Sequence, residues 1–270
     1  MSPPSMVVLI PVFNDPAGIT RSLDSLLAAE RPADMTTLVV DDGSDPPVDI
    51  DSSRYRAVGL VTLRLQHNQG IEAALNAGLQ WARANGCAYV ARLDAGDRVS
   101  EARLSMQVDY LERHPEVGIV ASDVNFVAEN RQFLFVFRAP REDAGIRRQM
   151  HLNCCLLHPS VMMRRRVLDE IGDYSTAYPA AEDYELFLRI LQRAKAACLP
   201  LPLVTVTYSA GGISSRRRRR QLASRLRLQA KHFAPGVAES YLGVALTLLL
   251  LLIPSRLIVE AKRFVGETWM

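Results

Sequence analysis

The sequence predicts an α/β fold with a mostly parallel sheet and flanking helices. The first observation is a continuous apolar run at Met6–Val12, which is typical of a strand buried on both faces. The second is the alternation of such strands with helical patterns of about 12 to 15 residues, which requires crossover connections. The third is the composition: the 270 residues are 49% hydrophobic and 23% charged, which excludes a disordered chain and suits one large domain, alone or with an appendage.

Four strands and two helices are predicted in the first hundred residues. After the first strand, Asp15-Pro16 predicts a helix start, with Asp as the N-cap and Pro at the first helical position. Residues 37–40, 60–65 and 88–93 are the next strands, and a second helix follows the third strand from Ile71 onward. Ligands of such sheets bind beyond the carboxyl ends of the strands, so we expect the polar residues there to converge on one cleft.

Shorter elements are predicted after residue 100. A helix around residues 104–111 is followed by short strands at 117–121, 125–127 and 133–137, and then by a loop at 153–160. A last strong helix begins at Glu182-Asp183, with apolar residues at the spacing of one helical face.

The segment after residue 211 differs in composition from the rest and is predicted to be a helical C-terminal appendage. Residues 212–238 contain eight basic residues and no acidic one, so the remaining 243 residues carry a net charge of −5 against +3 for the whole chain. The uncharged run 242–253 follows, which is too short to cross a membrane because a spanning helix needs about 20 residues. The basic residues are Arg216, Arg217, Arg218, Arg219, Arg220, Arg225, Arg227 and Lys231.

Two interpretations of this tail are open. In the first, residues 212–263 dock on a membrane surface, because basic residues upstream and Lys262 and Arg263 downstream flank the apolar run. In the second, the apolar helix packs on the domain or on a second copy of the chain, which would make a homo-oligomer. A nucleic-acid-binding protein is a further alternative, but one that would contact phosphates alone, because no aromatic residue interleaves the arginines to stack on bases.

Cysteine usage predicts a reducing compartment. The four cysteines form no Cys-x-x-Cys pair, and no positive charge precedes the first apolar run as in a signal peptide, so we expect a cytoplasmic protein. A zinc site at His151-x-x-Cys154-Cys155-x-x-His158 is the weaker alternative to buried structural cysteines, because vicinal cysteines seldom both reach one ion.

Acidic clusters stand at the ends of two predicted strands and at the start of the last helix. They are Asp41-Asp42-Gly43-Ser44, Asp94-Ala95-Gly96-Asp97 and Glu182-Asp183. Each has a structural interpretation taken alone: a turn for the first, a capped turn for the second and a helix N-cap for Asp183. Taken together they predict a shared site, because clustered carboxylates repel one another unless a cation or sugar hydroxyls share it.

These clusters, in this order, resemble glycosyltransferase family 2, the inverting enzymes of GT-A fold that use nucleotide-diphosphate sugars. The resemblance covers about residues 5 to 210 and implies a catalytic domain at 1–211, with the tail at 212–270 outside it. The matching stretches are Ile10-Pro11-Val12-Phe13-Asn14, Val40-Asp41-Asp42-Gly43-Ser44, Asn68-Gln69-Gly70 with Ala74-Leu75-Asn76-Ala77-Gly78, Ala91-Arg92-Leu93-Asp94-Ala95-Gly96-Asp97, His158-Pro159-Ser160-Val161 and Ala181-Glu182-Asp183-Tyr184-Glu185-Leu186-Phe187.

For the donor, the resemblance implies a site built from the first four stretches. Asp41 or Asp42 would accept the imide N–H of a uracil-type base, and Asp94 would lie near the ribose and diphosphate. The second Asp of the family's Asp-x-Asp motif is here Gly96, so a divalent cation, Mn or Mg, would use Asp94 with Asp97, or bind chiefly through the diphosphate. The other donor-binding residues are Pro11, Phe13, Asn14, Asn68 and Gly70.

For the acceptor, the resemblance implies that Asp183 is the general base, which removes the proton of the attacking hydroxyl. Glu182 would contact the sugar or acceptor, and His158 and Arg164 would line the acceptor side, although both also suit a structural role. The implied function is transfer of a sugar, from UDP in the first instance, to a hydroxyl of a glycan or lipid-linked acceptor in surface polysaccharide synthesis. The alternative is a module that binds nucleotide sugar without turnover, because the Asp-x-Asp motif is altered. The implied location is the cytoplasm, peripheral on the inner face of the membrane.

Overall fold

A computed structural model of the chain describes residues 5–30, 32, 34–208 and 218–253. Arg216 and Arg217 of the basic run, the boundary expected at residue 211, and the downstream Lys262 and Arg263 lie outside the described residues.

The described residues form one mixed sheet of nine strands. Its strand order is β3-β2-β1-β4-β8-β6-β9-β5, and β7 pairs with β6 beside this path. The strands are β1 (Met6–Val12), β2 (Met35–Asp41), β3 (Leu60–Arg64), β4 (Tyr89–Arg92), β5 (Arg98–Val99), β6 (Val117–Ala128), β7 (Phe133–Phe137), β8 (Met162–Arg164) and β9 (Lys195–Tyr208).

Helices cover both faces of the sheet. Helix α1 begins as predicted, because the side chain of Asp15 accepts the Gly18 N–H and Pro16 occupies the first helical position. The described α-helices are α1 (Pro16–Ala28), α2 (Ile71–Ala84), α3 (Arg103–Arg113), α4 (Asp143–Leu152), α5 (Arg165–Ile171), α6 (Glu182–Leu191), α7 (Arg218–Lys231) and α8 (Ala238–Leu252).

Burial of β1 on both faces confirms the prediction from its apolar run. Val7 and Leu9 belong to the core under α2, α4 and α6, whereas Val8 and Ile10 belong to the core under α1 and α3. The packing against α2 is close enough to require a glycine there, since a Cβ on Gly78 would lie 2.2 Å from the Leu9 Cδ1 atom.

The sheet is parallel on one side and mixed on the other. The pairs β1–β2, β2–β3 and β1–β4 are parallel as predicted, but β8 inserts antiparallel between β4 and β6. The two short strands predicted at 117–121 and 125–127 are one strand, β6, because the polar residues between them pair with β9 instead of turning. Strand β9 was not predicted: prolines interrupt its middle, although Val204-Thr205-Val206-Thr207 has the alternation that is typical of a strand.

The described part of the tail is packed on the domain. Leu228 of α7 joins the core beneath α4 and α6, and α8 lies against α4 and α7. Two side chains of α7 also bind the loop that precedes α6: Ser224 donates to the Pro179 carbonyl at 2.9 Å, and Arg227 to the Ala177 carbonyl at 2.9 Å. Among the described residues, no helix is long and apolar enough to cross a bilayer.

Candidate functional site

The carboxyl ends of β1 and β2 are tied together by their loops. The backbone N–H of Asn14 donates to the Ser44 hydroxyl at 2.9 Å, and the Asn14 side-chain oxygen accepts the Asp45 N–H at 2.9 Å. Pro11 is buried within β1 and Phe13 follows the strand with 47% of its surface exposed. An exposed aromatic ring held at a strand end is suited to contact a planar ligand.

Asp41 holds the turn that follows β2. Its carboxylate accepts the Ser44 N–H at 2.9 Å and the Val48 N–H at 3.4 Å, and it pairs with Arg64 at 3.3 Å. With only 2% of its surface exposed, Asp41 is committed to this turn, as the structural interpretation of the cluster expects.

Asp42 connects that turn to the loop before α2. Its carboxylate accepts the Asn68 side-chain amide at 3.0 Å, the Gln69 N–H at 2.8 Å and the Gly70 N–H at 2.9 Å. Three of the predicted donor-binding residues, Asp42, Asn68 and Gly70, are therefore brought together. Gly70 has a positive φ of 96°, which turns the chain into α2 and which L side chains rarely adopt.

A network of hydrogen-bonded, buried side chains holds Asp94 in place. The Arg92 guanidinium, fully buried, donates to the Asp94 carboxylate at 2.6 Å, while that carboxylate is 39% exposed at the end of β4. Arg92 Nε also donates to His158 Nε2 at 3.1 Å, and the Tyr174 hydroxyl lies 2.8 Å from the same nitrogen. Burial lowers the pKa of His158 well below its usual value, and the charge of Arg92 adds to the effect, so the imidazole is neutral.

The turn from Asp94 to Asp97 is clamped by α1. The Ser22 hydroxyl accepts the Gly96 N–H at 3.0 Å and donates to the Asp97 carbonyl at 2.8 Å. Gly96 has a φ of +100°, so an aspartate there, as in the family's Asp-x-Asp motif, would be strained.

Asp97 lies beneath this turn with 7% of its surface exposed. Burial raises the pKa of Asp97 well above its usual value, and the charge of Asp94 raises it further. A hydrogen bond from the Thr207 backbone acts in the opposite direction on this pKa. The carboxyl of Asp97 is therefore close to Asp94 but is held toward β9.

Glu182 and Asp183 begin α6 opposite Asp94. Burial, and next the charge of Asp183, raise the pKa of Glu182 to about 8. The pKa of Asp183 is raised to about 6, chiefly by burial and further by the charge of Asp94, although a hydrogen bond from the Tyr184 N–H lowers it. The Glu182 Oε2 atom is buried and has no hydrogen-bond partner within the described ranges, so it is a group that a ligand could satisfy.

This set of acids fits a cation that is shared with a phosphate ligand better than a cation held by protein alone. Within the described ranges, no three His, Cys, Asp or Glu side chains are arranged to hold a metal ion. Asp94 nevertheless offers an exposed carboxylate oxygen, and Mg²⁺ typically binds one or two carboxylates together with substrate phosphates.

Arg164 is not part of this cluster, which corrects the prediction that it lines the acceptor side. Its guanidinium donates to the Val117 carbonyl at 2.7 Å and to the Tyr89 hydroxyl at 3.0 Å. Arg164 pairs with Tyr89 at the start of β4, whereas Asp94 follows the end of that strand. Arg164 and Asp94 therefore lie at opposite ends of β4, separated by the length of that strand.

His158 is joined to Asp94 through Arg92, and the other hydrogen-bond partner of its ring among the described residues is Tyr174, an arrangement that suits the structural interpretation of this residue. In the part of the chain that the structure describes, the rival zinc residues form no group arranged to hold a metal ion, and His151 Nδ1 lies 2.9 Å from the Ser240 hydroxyl on α8.

Sequence reasoning assigned no role to Arg92 and Tyr174. An arginine inside an otherwise apolar strand was the available signal for Arg92, since a buried guanidinium needs an acidic partner. Tyr174 gave no such signal. It is positioned by Asn76 of α2, whose side chain binds both the Tyr174 N–H at 2.8 Å and the Tyr174 carbonyl at 3.0 Å.

Comparison with known sequences places this site in context. Residues 7–172 match the sequence profile of a family described as Glycosyl transferase family 2. The amylovoran biosynthesis glycosyltransferase AmsE of Erwinia amylovora is 30% identical over 215 residues, which cover 78% of this chain and 79% of that protein. An uncharacterised glycosyltransferase of Haemophilus influenzae is 26% identical over 238 residues, 86% of each chain.

Solved structures share the fold at low sequence identity. S. aureus TarS 1–349 in complex with UDP-GlcNAc has a TM-score of 0.65 and 17% identity, covering 88% of this chain and 70% of that one. The mannosyltransferase PcManGT of Pyrobaculum calidifontis, in complex with GDP-Man and Mn²⁺, has a TM-score of 0.64 and 18% identity, covering 99% of this chain and 81% of that one. The α/β architecture predicted from the sequence is confirmed by these neighbours.

Proposed function

The chain belongs to glycosyl transferase family 2 and is a glycosyltransferase, and on this premise we propose that it moves one sugar, with inversion, from a nucleotide diphosphate to an acceptor hydroxyl. The observation that carries the proposal is the convergence of Asp94, Glu182 and Asp183 at one end of the sheet. Besides burial, the charges of Asp183 and Asp94 raise the pKa of Glu182, the charge of Asp94 raises the pKa of Asp183, and Glu182 Oε2 has no hydrogen-bond partner among the described residues. Such a cluster suits a reaction that removes one proton while negative charge develops on a leaving diphosphate.

The donor is proposed to be a UDP-sugar that lies along the ends of β1, β2 and β4. Phe13 and Asn14 would border the base, with the Asp42 loop beneath it, and Asp94 would face the ribose and diphosphate. The complexes of TarS with UDP and UDP-GlcNAc support this choice of nucleotide. PcManGT, with GDP-Man, makes a GDP-sugar the alternative.

Charge on the departing diphosphate would be offset by a divalent cation held by Asp94 and the phosphates. Mn²⁺ in the PcManGT complex supports such a cation, which would supply Lewis-acid stabilisation of the leaving group. The chain's own contribution is Arg92, which fixes one oxygen of Asp94 at 2.6 Å and leaves the other to face the ligand.

Asp183 is proposed to take the proton of the acceptor hydroxyl as that oxygen attacks the anomeric carbon. With its pKa raised to about 6, the carboxylate is ionised at neutral pH yet basic enough to accept a proton in the transition state. The hydrogen bond from the Tyr184 N–H at 2.7 Å holds the carboxylate at the start of α6. Glu182 would contact the sugar or the acceptor.

The acceptor is proposed to be a glycan or lipid-linked sugar in the synthesis of a surface polysaccharide. AmsE, named for amylovoran biosynthesis and 30% identical over 78% of this chain, supports that role.

Asp183→Asn is expected to abolish transfer while donor binding persists. The amide oxygen can still accept the Tyr184 N–H, but it cannot take a proton, and loss of a positioned base costs about a hundred- to ten-thousand-fold in rate. Asp109→Asn, the same change at an exposed carboxylate of α3, is the matched control.

Two measurements separate binding from turnover. Protection against thermal unfolding by UDP- and GDP-sugars, with and without Mn²⁺, reports donor binding, because a ligand at about 100 times its Kd adds about 2.7 kcal/mol. Release of nucleoside diphosphate reports turnover. Near-normal turnover in Asp183→Asn would remove Asp183 from the base role, and absence of protection by every donor would refute the proposed function.

A further inference from the structure

Helix α8 has its polar and apolar faces reversed relative to an ordinary surface helix. The residues it buries against the domain are small or polar: Ser240, Gly243 and Thr247. Ser240 meets His151 Nδ1 at 2.9 Å, and Gly243 allows the helix to approach so closely that a Cβ there would lie 2.1 Å from the His151 carbonyl oxygen. The fully buried positions of α8 therefore include none of its leucines.

Five of the seven leucines of α8 are exposed. Surface helices normally turn this stripe toward the core, because exposed apolar area is unfavourable in water. A continuous apolar face of this size marks a surface that something else covers. The exposed positions are Ala238, Tyr241 at 55%, Leu242 at 51%, Ala245, Leu246 at 40%, Leu248 at 46%, Leu249 at 52% and Leu252 at 81%.

Positive charge and aromatic rings lie next to this face. Helix α7, which packs against α8, contains no acidic residue and exposes four basic ones, Arg219, Arg220, Arg227 and Lys231. At the junction of the two helices, Phe233 and Tyr241 form an exposed edge-to-face pair with ring centroids 4.8 Å apart. Aromatic rings beside basic and apolar residues are typical of a helix lying at the interface of a bilayer.

We propose that the outward face of α8, with the basic residues of α7, docks this protein on an anionic membrane surface. A lipid bilayer satisfies both features at once: its acyl chains cover the leucines, and its negatively charged headgroups attract the arginines and the lysine. A second copy of the chain would cover the leucines equally well. Its own α7 would bring a further set of positive charges to the contact, which disfavours that occupant.

The docking face is connected to the proposed acceptor side through α7. Ser224 and Arg227 bind the Pro179 and Ala177 carbonyls, and the Arg227 guanidinium stacks 4.8 Å from the centre of the Tyr178 ring. This loop leads directly into Glu182 and Asp183. Docking would thus place the start of α6 near the membrane. That position suits a lipid-linked acceptor, and this last step rests on the proposed function.

Sedimentation of the full chain with vesicles tests the docking. The wild type is expected to sediment with vesicles of equal parts phosphatidylcholine and phosphatidylglycerol, and more weakly with phosphatidylcholine alone. The triple variant Leu242→Gln, Leu249→Gln and Leu252→Gln should bind the vesicles at least about a hundredfold more weakly than the wild type, because each leucine contributes apolar area that the bilayer would bury. Since all three side chains are exposed, the melting temperature should change little.

Leu201→Gln, the same change at a leucine 43% exposed on β9, is the matched control and should sediment like the wild type. Failure of the wild type to bind either vesicle, or equal binding by the triple variant, would overturn the proposal. A wild-type dimer that the triple variant converts to a monomer, without vesicle binding, would overturn it in favour of a second copy. Nucleotide protection of the triple variant should equal that of the wild type, so failure of the docking is distinguishable from failure of the proposed function.

Discussion

Replacement of Glu182 by glutamine is expected to stabilise the protein at alkaline pH. Burial and the neighbouring Asp183 raise the pKa of Glu182 from 4.5 to about 8, so folding disfavours the ionised carboxylate. For an acid shifted in this direction, the wild type is least penalised at low pH and loses stability as the pH rises from about 4.5 to about 8. An amide of the same shape remains neutral and carries no such penalty.

The size of the effect follows from the pKa shift. Each unit of difference between the folded and unfolded states corresponds to about 1.4 kcal/mol at a pH above both values. At pH 5 the two proteins should therefore differ little. At pH 8.5 the Glu182→Gln variant should be more stable by on the order of 5 kcal/mol, because the shift from 4.5 to about 8 is then almost fully expressed.

Urea unfolding of both proteins at pH 5, 7 and 8.5 measures this difference. Glu170→Gln, at an exposed carboxylate of α5, is the matched control and should follow the wild type at each pH. A stability difference between Glu182→Gln and the wild type that stays constant across this range would refute the reasoning, because it would mean that Glu182 titrates alike in the folded and unfolded chains.

Two further changes test the seating of α8 and the loop held by Asp42. Gly243→Ala should cost about 1 to 3 kcal/mol in urea unfolding, since its Cβ would overlap the His151 carbonyl, whereas Gly236→Ala, which meets open space, should be neutral. Asp42→Ala should cost about 2 to 4 kcal/mol and remove protection by nucleotide sugars, because three donors lose a buried carboxylate; Asp49→Ala, at an exposed position, is its control. If nucleotide sugars protect Asp42→Ala against thermal unfolding as well as they protect the wild type, the nucleotide's base does not bind at the Asp42 loop.

Where periodicity and local signals agreed, the sequence predicted the fold well. The apolar run of β1, the Asp15-Pro16 start of α1 and the helical faces of α2 and α6 all correspond to the described elements. These features depend on a residue and its near neighbours along the chain, which is the information that a single sequence contains.

Features that depend on distant contacts were not predictable in this way. Strand β9 pairs along the whole of β6, and β8 is inserted antiparallel between β4 and β6. Both arrangements join residues that lie far apart in the sequence. Arg164 resembled a site residue, yet it is the last residue of β8 and pairs with Tyr89 at the start of β4, away from the strand end that Asp94 follows. The burial of Ser240 and Gly243, with leucines outside, could not be derived from a run that is apolar on every face.

The two adjacent acids at the start of α6 could each serve as the base or contact the sugar. Sequence alone cannot distinguish them, but their surroundings differ. The Tyr184 N–H and the charge of Arg92 both oppose the rise in the pKa of Asp183, which stops at about 6. Among the causes of the shift in Glu182 there is no positive charge, and its pKa reaches about 8.

The pKa of Glu182 is raised further than that of Asp183, so Glu182 holds its proton more readily than its neighbour does. This difference favours Asp183 as the proton acceptor and Glu182 as a hydrogen-bond donor to a sugar hydroxyl. One protonated and one ionised acid would also avoid placing two adjacent negative charges in a buried site. The difference follows from where the neighbouring donors and charges lie, and it supports the proposal that Asp183 is the base and that Glu182 contacts the sugar.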